Sequence, residues 1–243
     1  MKKIAQLSVL MMFTALAALA DPLIDFSGGY GGTISSGGLG TTVTGLNIVI
    51  TQLLALDVPQ NAGLPMAVTG PSGTGLLNFT TGNVTSVTSN GSGGYTYTYG
   101  GGGTFTITGN VAAAGITTNP QLLNGSFYSG SFTVQNLSSS MSMVSFSAAG
   151  VDTKNAALLS YFGVTGTNQF TFAGFSIGAN FSGTVGPSGA FSATAFSSDL
   201  ANTATPEPSA ILITGTCLLF VGGQFRKRFL PKPAPKDSST KIA

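Results

Sequence analysis

The chain has 243 residues, of which only 7% are charged, and it contains no histidine and no tryptophan. Nine lysines and arginines and seven acids give a formal net charge of +2, but eight of the nine cations lie near the two ends. Between residues 21 and 205 the only cation is Lys154, so this body cannot neutralise a run of phosphates and we expect no nucleic-acid partner. The single cysteine, Cys217, excludes a disulfide within the chain.

Residues 1–20 have the three parts of a secretory signal peptide. Lys2 and Lys3 form a positive start, an apolar stretch follows, and Ala18-Leu19-Ala20 has the small-x-small pattern of a cleavage site. The sequence therefore predicts cleavage after Ala20 and an exported body that begins at Asp21. The alternative is an uncleaved anchor helix, which the short apolar stretch disfavours.

Residues 21–205 predict an all-β domain rich in glycine, serine and threonine. Short runs in which apolar residues alternate with Ser or Thr are separated by glycine-rich turns, a pattern typical of half-buried strands. Their number predicts an antiparallel sandwich or a barrel-like domain. Runs on either side of Gly186-Pro187-Ser188-Gly189 predict a hairpin, and the glycines at 100–103 predict a hairpin tip. The clearest runs are residues 77–81, 95–99, 104–108, 141–146, 181–185 and 191–196.

One short helix is predicted within this β-domain. Asp152-Thr153 has the composition of an N-terminal cap, residues 154–162 form the helix, and Gly163 ends it. In this interpretation residues 156–159 face inward and Lys154 lies on the solvent side. Residues 47–56 are ambiguous, but their β-branched centre favours a strand.

The body lacks most of the residue types that catalysis uses. Without histidine, the commonest general base and the usual zinc ligand are missing, and no serine lies in a Gly-x-Ser-x-Gly elbow. A carboxylate pair for glycoside hydrolysis would have to come from four aspartates of the body. Among these four, Asp152 is better explained as a helix cap and Asp199 as a loop residue. We therefore predict no enzyme activity, no catalytic residue, no metal and no cofactor. The four aspartates are Asp25, Asp57, Asp152 and Asp199.

A binding module is the alternative function for this body. Flat threonine-rich faces such as Thr96-Tyr97-Thr98 and Thr104-Phe105-Thr106 would bind polysaccharide or ice, which adds exopolysaccharide to the expected partners. Tyr95, Tyr97 and Tyr99 would stack on sugars if they were exposed. Alternating Thr and Tyr are also ordinary strand formers, and this second interpretation is favoured.

A second hydrophobic stretch, residues 209–225, predicts a transmembrane helix. It contains 17 residues without a charge, and Arg226-Lys227-Arg228 follows it directly. A basic cluster next to an apolar helix stays on the cytoplasmic side and stops transfer. Lys2 and Lys3 predict the same orientation, with the body outside the cytoplasm. The alternative, a buried core helix, is disfavoured by the adjacent cations and by the two prolines before it.

Pro206-Glu207-Pro208, the apolar helix and Arg226-Lys227-Arg228 together resemble the PEP-CTERM sorting signal of Gram-negative bacteria. The resemblance covers about residues 205–228 and implies that the chain is a substrate of an exosortase, a membrane cysteine transpeptidase that cuts near the Pro-Glu-Pro motif. Members of this family usually end close to the basic cluster, whereas residues 229–243 continue here as a basic, proline-containing tail that we expect to be disordered and cytoplasmic.

These features predict an exported protein without enzymatic activity, located at the cell surface or in the extracellular matrix. Its expected partners are signal peptidase, an exosortase-type transpeptidase and the membrane that holds the C-terminal helix. The chain would be anchored in the inner membrane first and would reach the surface or matrix after processing.

Overall fold

The computed structural model describes residues 22–204, apart from position 92 and residues 139–140, 166–168 and 183–187. The predicted signal peptide, sorting motif, apolar helix and basic tail lie outside these residues. The part described is mostly antiparallel β-sheet with one short α-helix, as the alternating sequence pattern predicts. Its strands are β1 Leu23–Gly28, β2 Thr33–Gly37, β3 Thr42–Ile50, β4 Gln52–Leu56, β5 Met66–Ala67, β6 Gly75–Ser89, β7 Tyr95–Tyr99, β8 Gly103–Thr108, β9 Gln121–Ser138, β10 Met141–Lys154, β11 Phe170–Ser182 and β12 Ala190–Ala204.

The twelve strands form one sheet that closes on itself. Along the chain, β6 pairs with β7 and β8, these pair with β9, and β9 to β12 then follow one another as antiparallel neighbours. The last strand, β12, pairs with β11 on one side and with β1 and β2 on the other, while β3 joins β2 to β6. The strand pairings from β12 through β11, β6 and β3 back to β12 therefore form a closed ring, although β4 and β5 extend the sheet beside β1. β11 and β12 pair antiparallel, as predicted for the strands on either side of residues 186–189, while residues 183–187 of the predicted hairpin lie outside the described part of the chain.

The glycines at 100–103 do not form the predicted hairpin tip. β7 and β8 pair with the same two neighbours, β6 and β9, so these glycines bend one long strand rather than reverse it. Gly102 and Gly103 have φ angles of 98° and 87°, a region that other residues rarely adopt. A Cβ on Gly103 would lie only 2.1 Å from the carbonyl oxygen of Thr80. Glycine occurs at this bend because other residues rarely adopt the backbone conformation that the bend requires. A turn between two strands has the same local composition, so the composition does not distinguish the two.

The helix of the body is shorter than the sequence predicts. It spans Ala156–Phe162, and its N-terminal cap is Asn155, whose side-chain oxygen accepts a hydrogen bond from the Ala157 N–H at 2.9 Å. Gly163 ends it in the left-handed conformation, as predicted. Leu158, Leu159 and Phe162 are buried, whereas the two alanines that were expected inside are exposed. The predicted strand character of residues 47–56 is confirmed, because β3 and β4 cover nearly all of them.

Aromatic side chains fill the space that the sheet encloses. Phe175 is fully buried and packs against five other phenylalanine rings at centroid distances of 5.2–6.2 Å. Further along, Tyr97 stacks on Phe132 at 4.2 Å. Each fully buried ring contributes about 1.5–3 kcal/mol from the apolar surface it removes from water. The five rings around Phe175 are Phe79, Phe105, Phe127, Phe146 and Phe172.

Glycines opposite these rings make the room they need. Gly45 is the cross-strand partner of Phe79, Gly125 that of Phe105, and Gly130 that of Tyr99. A Cβ on these glycines would lie 2.0, 2.4 and 1.9 Å from the nearest ring or hydroxyl atom of the partner. Each ring therefore lies over the bare backbone of the neighbouring strand, an arrangement that also covers an otherwise exposed stretch of strand.

Replacing Gly45 by alanine tests this arrangement. The added methyl group would overlap the Phe79 ring, which has no free space to move into, and we expect the free energy of unfolding to fall by about 1–3 kcal/mol. Gly29→Ala is the matched control, because no atom lies within 4 Å of a Cβ at Gly29. Urea denaturation of both variants measures the difference, and equal stabilities would contradict the close packing of Phe79 on Gly45.

Candidate functional site

A buried ion pair lies at the end of β10. Asp152 and Lys154 are two residues apart on this strand, so their side chains share the face that points into the sheet. Lys154 Nζ donates a hydrogen bond to Asp152 Oδ1, and both side chains are completely enclosed, with 0% relative exposure. The structure thus contradicts both assignments made from sequence: Asp152 does not cap the helix, and Lys154 does not face solvent.

Asn202 completes this cluster from β12, on the far side of β11. Its Nδ2 group donates a hydrogen bond to Asp152 Oδ2, so one carboxylate contacts the lysine amine with one oxygen and the asparagine amide with the other. Asn202 is 0% exposed, and its Oδ1 atom has no hydrogen-bond partner among the described residues. A buried carbonyl oxygen without a donor is rare and costs free energy.

Burial dominates the electrostatics of the cluster. Loss of hydration raises the pKa of Asp152 against the opposing influence of Lys154, and it lowers the pKa of Lys154 to about 8. The Lys154 amine also lies 4.4 Å from the centre of the Phe170 ring, a distance at which a cation is attracted to the ring face. Burial thus favours the neutral form of each of the two groups, against their mutual attraction as ions.

A small open cleft adjoins the cluster, where the start of β9 pairs with the end of β10. Its volume is about 180 Å³, and the wall includes Lys154 itself. Asn124 and Thr153, which face each other across the two strands, line it as well. The remaining lining residues are Gln121, Leu123 and Asn155.

A carboxyl pair forms a second cluster on the opposite face of the sheet. Asp25 on β1 hydrogen-bonds to Asp199 on β12, and Asp25 Oδ1 is buried without a hydrogen-bond partner among the described residues. Burial, the hydrogen bond to Asp199 and repulsion between the two carboxylates raise the pKa of Asp25 to about 7, so Asp25 is partly protonated near neutral pH. Asp199 lies in a strand, and the prediction of a loop residue is wrong.

The structure brings two of the four candidate aspartates together and leaves the others apart. Asp25 and Asp199 are neighbours on the outer face, whereas Asp152 points inward and Asp57 is exposed in the bend after β4. The sequence analysis did not identify Asn202 as a candidate site residue. The strand-like alternation in which Asn202 follows buried Leu200 was the only signal that it faces inward.

The tyrosines considered for sugar stacking lie mostly inside. Tyr97 and Tyr99 are 0% exposed, and Tyr95 is half-buried against the core. Stacking on an external ligand is therefore excluded for Tyr97 and Tyr99. The residues that alternate with them, Thr96 and Thr98, point outward.

The sorting motif Pro206-Glu207-Pro208, the basic triplet Arg226-Lys227-Arg228 and the cleavage residues Ala18 and Ala20 lie outside the described residues. Within residues 22–204, as far as they are described, no helix is long and apolar enough to cross a membrane. The same residues contain no group of three or more carboxylate or thiol side chains placed to hold a metal ion. Comparison with protein-family models, with curated proteins and with solved structures found no match to this chain.

The carboxyl pair predicts a pH-dependent stability. The pKa of Asp25 is higher in the folded state than its ordinary value of 3.8, so between about pH 4 and pH 7 the folded state binds more protons than the unfolded state. The free energy of unfolding should therefore fall as the pH rises through this range. Asp25→Asn should flatten this fall, and Asp57→Asn, at an exposed position, should not. Urea titrations at pH 4, 5, 6 and 7 measure it, and an unchanged slope in Asp25→Asn would contradict the raised pKa of Asp25.

Proposed function

We propose that the chain is an exported, non-enzymatic protein of the cell surface or extracellular matrix, and that an exosortase-type transpeptidase sorts and processes it through its C-terminal signal. The observation that carries this proposal is the order of segments along the chain. A segment with the composition of a signal peptide precedes the body, and Pro206-Glu207-Pro208, an apolar stretch and Arg226-Lys227-Arg228 follow it. Each segment has a role in export or anchoring, and the order matches a body displayed outside the cytoplasm.

The build of the body supports a structural role. Its sheet closes through β12, and aromatic rings pack against one another in the interior around Phe175. Leu23 at the start of β1 pairs with Thr203 near the end of β12, so the first and last strands of the body lie side by side. A closed sheet leaves few unpaired strand edges, which suits a protein displayed in the crowded space outside a cell.

Deletion of residues 206–228 tests the sorting role. Without the apolar stretch and its basic triplet, we expect the body to leave the membrane fraction and appear in soluble exported form. A second variant that lacks only residues 229–243 serves as the control and should be sorted like the full chain. Fractionation of the producing cells with an antibody against the body measures the outcome. A body that stays in the envelope after the first deletion would refute the proposal.

One observation favours a second candidate, a surface that binds polysaccharide or ice. A row of outward-pointing polar residues runs across adjacent strands in register, with Thr98, Ser131 and Ser147 at its centre. Neighbouring strands are about 4.8 Å apart, so the row presents hydroxyl groups at a regular spacing. The full row consists of Ser86, Thr98, Ser131, Ser147, Ser176, Asp199, Ser27 and Gln52.

Removing the three central hydroxyl groups tests this candidate. The triple variant Thr98→Val, Ser131→Ala and Ser147→Ala should lose retention on cellulose, chitin or dextran, or lose inhibition of ice recrystallisation, without a lower Tm. Thr117→Val with Thr118→Val, in an exposed loop away from the row, is the control. If the parent protein has no activity in any of these assays, the second candidate is eliminated.

A further inference from the structure

We propose that Lys154 and Asn202 join through an intramolecular amide bond between their side chains, with Asp152 transferring the proton. The three groups needed for such a reaction are an amine, a carboxamide and a proton-transferring acid. All three meet in one buried cluster, and the Asp152 carboxylate contacts the other two. The inference rests on this cluster alone and does not depend on the proposed export or sorting.

The unreacted cluster lowers the stability of the folded state, because it places charged and unpaired polar groups in the protein interior. It encloses a cation and a carboxylate that water does not reach, and it leaves Asn202 Oδ1 without a donor among the described residues. Buried charges and unpaired buried carbonyl groups each cost free energy, and proteins seldom combine them without a purpose. Neither the helix cap nor the packing of the core requires these three residue types here.

Lys154 has the surroundings of a nucleophilic amine. An ammonium group has no free electron pair, so the amine must be neutral to attack a carbonyl carbon. Enclosure among apolar side chains favours that neutral form, and the Asp152 carboxylate is in place to take the released proton. The Phe170 ring, 4.4 Å away, holds the amine at the cluster and excludes water that would hydrate it.

The reaction needs no cofactor and no oxidant. The ion pair first exchanges a proton, which gives a neutral amine and a neutral carboxylic acid. The lone pair of Lys154 Nζ then attacks Asn202 Cγ, Asp152 gives its proton to Asn202 Nδ2, and the carboxylate takes a proton from Nζ. The Cγ–Nδ2 bond breaks, ammonia leaves, and the new Nζ–Cγ bond remains. The ammonia leaves towards the solvent-open cleft beside Lys154 when the enclosed cluster opens locally.

The product would remove each of the costs of the unreacted cluster. The lysine charge disappears, and Asp152 remains as a neutral acid. Its O–H group donates to Asn202 Oδ1, which had no donor, and its other oxygen accepts the N–H of the new amide. The bond also ties β10 to β12 across β11, in a body that has no cysteine to form a disulfide.

Trypsin and mass spectrometry together test the bond in the full-length protein. Lys154 is the only lysine or arginine between Lys3 and Arg226, and trypsin cuts only after a free cationic side chain. After unfolding in denaturant, the linked chain should resist cleavage at Lys154 and run as one body fragment. Its mass should be lower than the sequence mass by one ammonia molecule. Loss of ammonia elsewhere would leave the cut at Lys154 intact, so both readouts are required.

Three substitutions separate the roles of the cluster residues. Lys154→Arg keeps the charge and the trypsin site but supplies no amine nucleophile, so it should be cut and show its full mass. Asp152→Asn should also be cut, since it keeps both reacting groups and removes proton transfer. Asn202→Asp should form the same bond with loss of water instead of ammonia. Asn180→Asp, at an exposed position on β11, is the control and should behave like the parent protein.

Three results would overturn the proposal. The first is a parent protein of full sequence mass that trypsin cuts completely at Lys154, a result that no folding defect of a variant explains. The second is loss of water from the parent, which would place the bond between Lys154 and Asp152. The third is an ammonia-depleted, uncut Asp152→Asn variant, which would remove Asp152 from the reaction.

Discussion

Closure of the sheet by β12 is the constraint from which the rest of the body follows. Because the last strand pairs with β11 and with β1 and β2, one face of every long strand points into an enclosed space. An enclosed space must be filled, since a void forfeits the packing that stabilises the fold. Phenylalanine and tyrosine fill it, and glycines on the facing strands make room for the rings. The high glycine content and the high phenylalanine content therefore have the same cause, which is the packing of this enclosed space.

The sequence predicts the strands well because their signal is local. Alternation of apolar and hydroxyl residues identifies parts of β6, β7, β8, β10 and β12, and it predicts the antiparallel pairing of the last two strands. The prediction fails where the same residue composition is compatible with two backbone conformations. Glycine allows a bend within a long strand as readily as a reversal between two strands, so residues 100–103 were misassigned. Which strands become neighbours depends on pairings between segments that are far apart in the chain. Neither the β1 segment nor the β12 segment has a sequence feature that predicts their pairing.

The candidate site was the least predictable part, for a related reason. Asp152, Thr153 and Asn155 all have the chemistry of a helix cap, and only the structure shows that Asn155 has this role. Once Asp152 belongs to a strand, Lys154 must share its inward face, which reverses the expectation of a solvated lysine. Asn202 joins them from 50 residues away. In the sequence, only its position two residues after the apolar Leu200 distinguishes Asn202 from the asparagines on the outer surface.

The position of the closing strand also governs when the body can finish folding. β12 is the last strand of the body to leave a ribosome or a translocation channel, and until Ala204 has emerged the edges of β1, β2 and β11 that face it have no partner. The sheet therefore closes only after every other strand has been delivered, and the open edges that exist before then can pair with other chains. A chain cut short before β12 would keep these edges unpaired, so intact delivery of the fifteen residues of β12 decides between a closed domain and an aggregating one.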